Sequence, residues 1–117
     1  LLAFVSFYCK GCVKTVTTLN DIYSKYAGIK MNGIELKVAI IYVDEIIDDD
    51  EITEFAAEQN ICCSLYSNSS DSYKEFSVSF LPTVFLIDTN GAVAKKYIGY
   101  RKGKVIEKDL FEIMKNN

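Results

Sequence analysis

The sequence predicts a mixed-sheet α/β domain, and three of its features point that way. Two apolar runs of strand-forming residues, 1–7 and 37–43, flank a segment with helical periodicity, which indicates parallel strands joined by a helical crossover. A third run, 83–87, leads through an Asn-Gly turn into a fourth strand, 93–98, which is typical of an antiparallel hairpin. Because 117 residues suffice for one hydrophobic core, a single domain over 1–117 is expected.

The helices are predicted from side chains that recur at spacings of three and four. The first helix ends near Gly28, and the second follows the acidic run 44–51, which is predicted to be a solvated helix start rather than a calcium site. A short strand at 64–66 and a helical turn at 71–76 complete the order β-α-β-α-(β-α)-β-β-α. The residues that define the three main helices are Val13, Val16, Leu19, Tyr23, Tyr26, Ile52, Phe55, Ala56, Gln59, Ile106, Leu110, Ile113 and Met114.

Charge and hydropathy argue against several classes of function. The chain has 13 basic and 16 acidic residues and a net charge of −3, so neither nucleic acid nor a membrane surface is an expected partner. No apolar run approaches the roughly 20 residues that a membrane helix needs. Residues 1–7 follow no basic region and are interpreted as a strand, not a signal peptide. Since the chain lacks an initiator methionine, a trimmed N-terminus is expected.

The chain contains no histidine and four cysteines, Cys9, Cys12, Cys62 and Cys63. Without histidine, mechanisms that pair a nucleophile with an imidazole are unavailable within this chain, and so is the commonest zinc ligand. Four cysteines in 117 residues are also far fewer than a disulfide-stapled small protein carries. The cysteines therefore favour redox chemistry over a structural framework.

Cys9 and Cys12 are the candidate catalytic residues. At the start of a helix, two residues three apart share one face, and their Cα atoms can approach the ~5.5 Å that a disulfide requires. Unpaired amide groups and the helix dipole stabilise a thiolate at Cys9, and Lys10 adds positive charge. Cys9 is thus expected to attack a substrate, and Cys12 to resolve the mixed disulfide. Gly11 keeps the turn compact and leaves room for a bound chain.

Other interpretations of the cysteines stay open at this point. A zinc or iron–sulfur site would need the adjacent Cys62 and Cys63 as further ligands, and neighbouring residues seldom face one metal. Cys9 and Cys12 could also be inert and buried. Cys62 and Cys63, beside Ile61, are predicted to be packing residues, because a disulfide between neighbours closes a strained ring. We therefore predict no metal and no bound cofactor.

The only proline, Pro82, stands at the head of the strand 83–87. Proline has no N–H and is accepted at the first residue of a strand, which is compatible with an ordinary trans bond. Alternatively, a cis-proline loop would lie beside the cysteines and leave the backbone of the preceding Leu81 free to pair with a substrate chain.

The segments FYCKGC at 7–12 and FLPTVFLID at 80–88, with Asn90-Gly91 and Gly99, resemble the thioredoxin superfamily. The insertion before Pro82 is most similar to the TlpA/ResA-type redoxins, and the likeness covers nearly the whole chain. It implies a thioredoxin-like fold, a cis Pro82 packed against the disulfide, an exposed Cys9 nucleophile, and a substrate rim that includes Tyr8 and Leu81. It also implies a location outside the cytoplasm, in a bacterial cell envelope or periplasm.

Three positions depart from the pattern of these families. Tyr8 stands where tryptophan is usual, Ala3 replaces the buried acid of thioredoxins, and Thr15 replaces the glutamate of ResA-type proteins. The usual proton acceptors for Cys12 are therefore missing, and the sequence identifies no substitute.

Taken together, the sequence predicts a monomeric thiol–disulfide oxidoreductase that acts on protein thiols or disulfides. Two alternatives are a non-catalytic binding module with a vestigial CxxC motif, and a metal-binding or haem-delivery protein. The candidate residues are Cys9 and Cys12 for catalysis, with Tyr8, Lys10, Gly11, Leu81 and Pro82 for substrate binding.

Overall fold

The computed structural model describes residues 1–44, 48–67 and 72–115. In these ranges the chain forms seven strands and four helices. In chain order they are β1 (Leu2–Val5), α1 (Lys10–Tyr26), β2 (Lys30–Met31), β3 (Ile34–Glu35), β4 (Ala39–Tyr42), α2 (Asp49–Glu58), β5 (Ser64–Tyr66), α3 (Ser72–Glu75), β6 (Thr83–Ile87), β7 (Val93–Ile98) and α4 (Gly103–Lys115).

Five of the strands form one mixed sheet in the order β5-β4-β1-β6-β7. β1 pairs in parallel with β4, and β4 with β5, whereas β6 is antiparallel to both β1 and β7. This arrangement confirms the predicted mixed sheet, its helical crossovers and its closing hairpin. It also places β1, which leads into the CxxC motif, at the centre of the sheet.

The two-stranded sheet of β2 and β3 was not predicted. Each strand has only two residues, so no alternation of apolar and polar residues could be detected. Asn32 and Gly33 join them, and both have positive φ angles, 53° and 79°, as a tight hairpin turn requires. The Asn32 side chain donates a hydrogen bond to the Met114 carbonyl at 2.6 Å, which holds this hairpin against the end of α4.

The core lies on both faces of β1, whose Ala3, Phe4 and Val5 are fully buried. Successive side chains of a strand point to opposite faces. Ala3 and Val5 belong to the main core cluster, while the Phe4 ring lies 5.6 Å from that of Phe76 and 6.0 Å from that of Phe85. Burial on both sides explains why the first strand reads as a continuous apolar run.

The predicted helical stripes are confirmed except at two positions. Gln59, expected in the second helix, is exposed and is the C-cap residue that follows α2. Val13, expected on the buried face, is 43% exposed, and the buried side of α1 instead carries Cys12, Val16, Leu19 and Ile22. In α4 the buried residues are Ile106, Leu110 and Met114.

In the described part of the chain, none of the helices has the length and apolar character that a membrane span requires.

Candidate active site

Two chain segments that are distant in sequence meet at one edge of the sheet. β1 ends at Val5 and leads into the Cys9–Cys12 turn, while β6 begins directly after Pro82. Because β6 is antiparallel to β1, with Phe4 paired to Thr83, the start of β6 lies beside the end of β1. The sheet topology therefore brings Pro82 to the CxxC motif.

Cys9 is the N-cap residue of α1, and Cys12 lies in its first turn. The Cys9 Sγ accepts a hydrogen bond from the Cys12 backbone N–H at 3.3 Å, as an N-cap side chain does. Both thiols are free. Cys9 is half-buried, whereas Cys12 is only 1% exposed. A substrate can therefore reach the Cys9 sulfur but not that of Cys12.

The Leu81–Pro82 peptide bond is cis, as the family resemblance implied. The Cys9 thiol lies 3.7 Å from the Leu81 carbonyl oxygen, to which it donates a weak hydrogen bond. A Cβ placed on Gly11 would lie 3.4 Å from the Pro82 Cδ. Glycine at this position thus leaves a narrow space between the CxxC turn and the proline.

The Cys12 thiol is held in its protonated form. Burial, reinforced by a hydrogen bond with Cys9, raises its pKa from 9.0 to about 12. A group with this pKa carries its proton at neutral pH. Any reaction in which Cys12 acts as a nucleophile must therefore include removal of that proton.

Asp44 is a candidate functional residue that the sequence analysis missed. It lies two residues after β4, the parallel neighbour of β1, so its carboxylate reaches the loop between β1 and α1. Its Oδ1 accepts a hydrogen bond from the Ser6 hydroxyl at 2.7 Å, and its Oδ2 accepts one from the Phe7 N–H at 3.1 Å. Its charge is also among the smaller causes that raise the pKa of Cys12.

The sequence contains one signal for Asp44, namely an acid directly after a strand parallel to the CxxC strand. In the sequence, Asp44 belongs to the acidic run 44–51, which was predicted to be a solvated helix start. That interpretation is confirmed for the N-cap Asp48 and for the first-turn residues 49–51, but it is wrong for Asp44. Residues 45–47 lie outside the described ranges.

Replacing Asp44 should loosen the loop that carries the active-site cysteines. For Asp44→Ala, the Phe7 N–H and the Ser6 hydroxyl lose their partner, so we expect the free energy of unfolding to fall by about 1–2 kcal/mol. Asp44→Asn keeps an acceptor oxygen but removes the charge, so the pKa of Cys12 should fall. Denaturant unfolding and an NMR titration of the Cys12 Cβ resonance measure these effects, with Asp21→Asn, at an exposed position of α1, as control. An unchanged unfolding midpoint for Asp44→Ala would show that the loop does not depend on this residue.

The predicted substrate-binding residues surround Cys9. Tyr8 and Lys10 are its chain neighbours, Leu81 contacts its sulfur, and Pro82 faces Gly11. Tyr8 is 75% exposed, so a bound chain could cover it. Phe80, which the sequence analysis did not single out, is 67% exposed and directly precedes Leu81.

Phe7 fixes the direction in which the chain enters the CxxC turn. Its ring stacks on that of Tyr42 with centroids 4.5 Å apart, and it meets the ring of Phe55 edge-on at 5.4 Å. Phe55 belongs to α2, so the loop before Cys9 is packed against a helix as well as bound by Asp44. The turn that carries the half-buried Cys9 is therefore held by ring packing and by hydrogen bonds to Asp44.

The prediction that Cys62 and Cys63 are both packing residues holds for one of them. Cys63 is buried, which raises its pKa to about 11, but Cys62 is exposed. The Asn20 Oδ1 accepts hydrogen bonds from the backbone N–H groups of both cysteines, and the Cys62 Sγ lies 3.1 Å from the Ser24 hydroxyl. These contacts anchor the pair to the second half of α1, away from Cys9.

Among the described residues there is no cluster of three metal-ligating side chains.

The sequence matches a family model and several curated proteins. A family model described as thioredoxin-like matches residues 1–93. A thiol-disulfide oxidoreductase ResA from Bacillus cereus is 30% identical over 107 residues, which cover 91% of this chain and 58% of that protein. ResA from Bacillus thuringiensis subsp. konkukian is 29% identical over 113 residues, covering 96% and 61%. The chain thus spans about three fifths of the length of these relatives.

Solved structures show the same fold at lower sequence identity. StoA from Bacillus subtilis has a TM-score of 0.76 and 18% identity, with 93% of this chain and 79% of that one covered. A secreted thiol-disulfide isomerase from Corynebacterium glutamicum has a TM-score of 0.81 and 14% identity, with 97% and 69% covered.

Proposed function

Since the chain belongs to the thioredoxin-like family, we propose that it is a thiol–disulfide oxidoreductase whose Cys9 and Cys12 exchange with protein thiols or disulfides. The observation that carries this proposal is the asymmetry of the pair. Cys9 is accessible at the helix start and faces the Leu81 carbonyl, while Cys12 lies buried behind it with a raised pKa. The names of the curated relatives agree with this chemistry.

The reaction proceeds in two exchange steps. The Cys9 thiolate attacks one sulfur of a substrate disulfide, and the other substrate sulfur leaves as a thiolate and takes up a proton. Cys12 then loses its proton and attacks the Cys9 sulfur, which forms the Cys9–Cys12 disulfide and releases the second substrate thiol. Two electrons pass to the substrate, and the reverse sequence oxidises a substrate dithiol.

The loop before β6 would hold the substrate next to Cys9. An extended chain can bind by pairing with exposed backbone groups, and the Leu81 backbone stands beside the reacting sulfur. In this proposal the substrate contacts Leu81 and Pro82 on one side and Tyr8, Lys10 and Gly11 on the other. Gly11 has no side chain that would project between the substrate and Pro82, so the substrate chain can lie close to this turn.

The direct test is the reduction potential of the pair. The protein is equilibrated with thiol buffers of graded potential, its free cysteines are alkylated, and the modified positions are identified by mass spectrometry. We expect Cys9 and Cys12 to be protected together as one two-electron step, while Cys62 and Cys63 stay reactive after unfolding. A potential near about −270 mV would indicate a reductant and one near about −120 mV an oxidant. If no Cys9–Cys12 disulfide forms at any potential, the proposal is wrong and a non-catalytic binding module takes its place.

We also propose that the protein works outside the cytoplasm, in a bacterial cell envelope. Its similarity to ResA-type proteins supports this location. Fractionation of cells that express the natural protein tests it, because recovery in the cytosolic fraction would contradict the proposal.

A further inference from the structure

The surface beside Cys9 carries positive charge although the whole chain carries a net charge of −3. Lys10 directly follows Cys9, and Lys14 lies one turn later on the same face of α1. Both side chains are exposed. From the sequence alone, Lys10 was placed beside Cys9, and Arg101 belonged to a separate, modest basic stretch (Lys95, Lys96, Arg101, Lys102 and Lys104).

The loop between β7 and α4 adds a third cation to this surface. Tyr100 in this loop lies beside α1, since its hydroxyl is 3.5 Å from that of Thr18 and the Lys14 Nζ is 5.9 Å from its ring centre. A Cβ on Gly11 would lie 3.9 Å from the Tyr100 Cβ. Arg101 follows Tyr100 and is also exposed. We call Lys10, Lys14, Tyr100 and Arg101 the cationic face.

The charges of the cationic face remain available to a ligand. The Arg101 guanidinium donates to the backbone carbonyls of Ile98 and Tyr100, at 2.9 and 3.1 Å, rather than to a carboxylate. In the described ranges the salt bridges are Lys25–Glu107 and Lys37–Glu35, so none of the three cations is paired with a described acid.

Acids are concentrated at the start of α2, where residues 48–51 are all acidic. Because β4 is parallel to β1, this helix starts at the same end of the sheet as Cys9. The acids follow β4, on one side of β1, whereas Tyr100 and Arg101 follow β7, on the other side, so charges of opposite sign are separated across the site. Such separation steers the approach of a charged partner and disfavours partners of the same sign.

We propose that the cationic face selects protein substrates in which acidic residues flank the reacting cysteine. This inference rests on the proposed function, because it assumes that a substrate cysteine reaches Cys9. A segment bound along Leu81 would place its flanking residues next to Lys10 and Lys14 on one side of Cys9. Acidic side chains there would be attracted, whereas lysines would be repelled. The exposed rings of Tyr8, Phe80 and Tyr100 would contact the apolar parts of the same segment.

Two disulfide-containing peptides that differ only in their flanking residues test this selection. One carries three Asp or Glu residues around the cysteine, and the other carries three Lys. At low salt we expect the reduced protein to reduce the acidic peptide about tenfold faster, and we expect the difference to shrink to less than about twofold at 0.5 M NaCl because salt screens exposed charges.

Charge-reversal variants assign the selection to the cationic face. Lys14→Glu should remove most of the preference, and Lys14→Gln about half of it. Lys108→Glu makes the same charge change on the exposed side of α4 and should keep the full preference. Circular dichroism confirms that each variant is folded.

The outcomes separate this inference from the proposed function. If the parent protein reduces both peptides at the same rate, the selection is wrong and the exchange activity stands. If Lys14→Glu keeps the full preference, the cationic face is not its source and the inference is wrong. If neither peptide is reduced and no Cys9–Cys12 disulfide forms, the proposed function fails and the inference with it.

Discussion

Cys12→Ser should trap the protein on its substrate, while Cys9→Ser should show no exchange above the uncatalysed rate. Without the Cys12 thiol, the mixed disulfide between Cys9 and the substrate cannot be resolved from within, so it accumulates. Without the Cys9 thiol, the only remaining sulfur of the motif is 1% exposed and carries a raised pKa, so it neither reaches a substrate nor ionises readily. Non-reducing electrophoresis and intact-mass measurement would detect the trapped complex.

Cys62→Ser is the matched control for these two variants. It removes an exposed thiol that lies against Ser24 rather than beside Cys9, so the exchange rate should stay within about twofold of the parent. Exchange activity that persists in Cys9→Ser but disappears in Cys62→Ser would contradict the assignment of the active site.

The reduced protein should lose stability as the pH rises above 9. In the unfolded chain the Cys12 thiol ionises near its ordinary value of 9.0, whereas in the folded protein its pKa is raised to about 12. Below pH 9 both states hold the proton and the stabilisation is complete. Between these values the folded state holds one more proton, so the free energy of unfolding falls by about 1.4 kcal/mol for each pH unit. Urea unfolding at pH 7, 9 and 10 measures the total slope, to which Cys63, whose pKa is raised by burial to about 11, also contributes.

The same pH slope of the free energy of unfolding, measured on the oxidised protein, is the control for the reduced protein. A Cys9–Cys12 disulfide removes the titration of Cys12, while the raised pKa values of Cys63, Tyr42 and Tyr97, all caused chiefly by burial, persist in both forms. The difference in slope between the two forms therefore isolates the contribution of the active-site cysteines. Equal slopes would show that the environment of Cys12 does not hold its proton.

The main sheet could be predicted because its strands are buried and its turns have local signals. β1 and β6 read as continuous apolar runs, and the Asn90-Gly91 turn marks the closing hairpin. The β2–β3 hairpin lacked such a run, and Asn32-Gly33 was its only signal. The helical pattern also failed to predict the exposure of Val13. Periodicity identifies the apolar side of a helix, but it does not show how far the elements packed against that side extend.

At the candidate site, the residues that are local in sequence could be predicted and their distant partners could not. The spacing of Cys9 and Cys12 and the start of α1 belong to one short segment. Asp44 and Tyr100 reach that segment only through the strand order and the loop after β7, neither of which follows from spacing. Cys62 was misjudged because Asn20 holds its backbone, while its side chain stays at the surface.

The hydrogen bonds of Asn20 give the protein an internal standard for thiol labelling. Cys62 touches Ser24, and a helix rises about 1.5 Å per residue, so this exposed thiol stands about 22 Å along α1 from Cys9. In the same sample, Cys63 is shielded and reacts after unfolding. The labelling rate of Cys9 can thus be expressed as a ratio to that of Cys62. Such a ratio cancels differences in reagent concentration and protein amount between experiments at one pH.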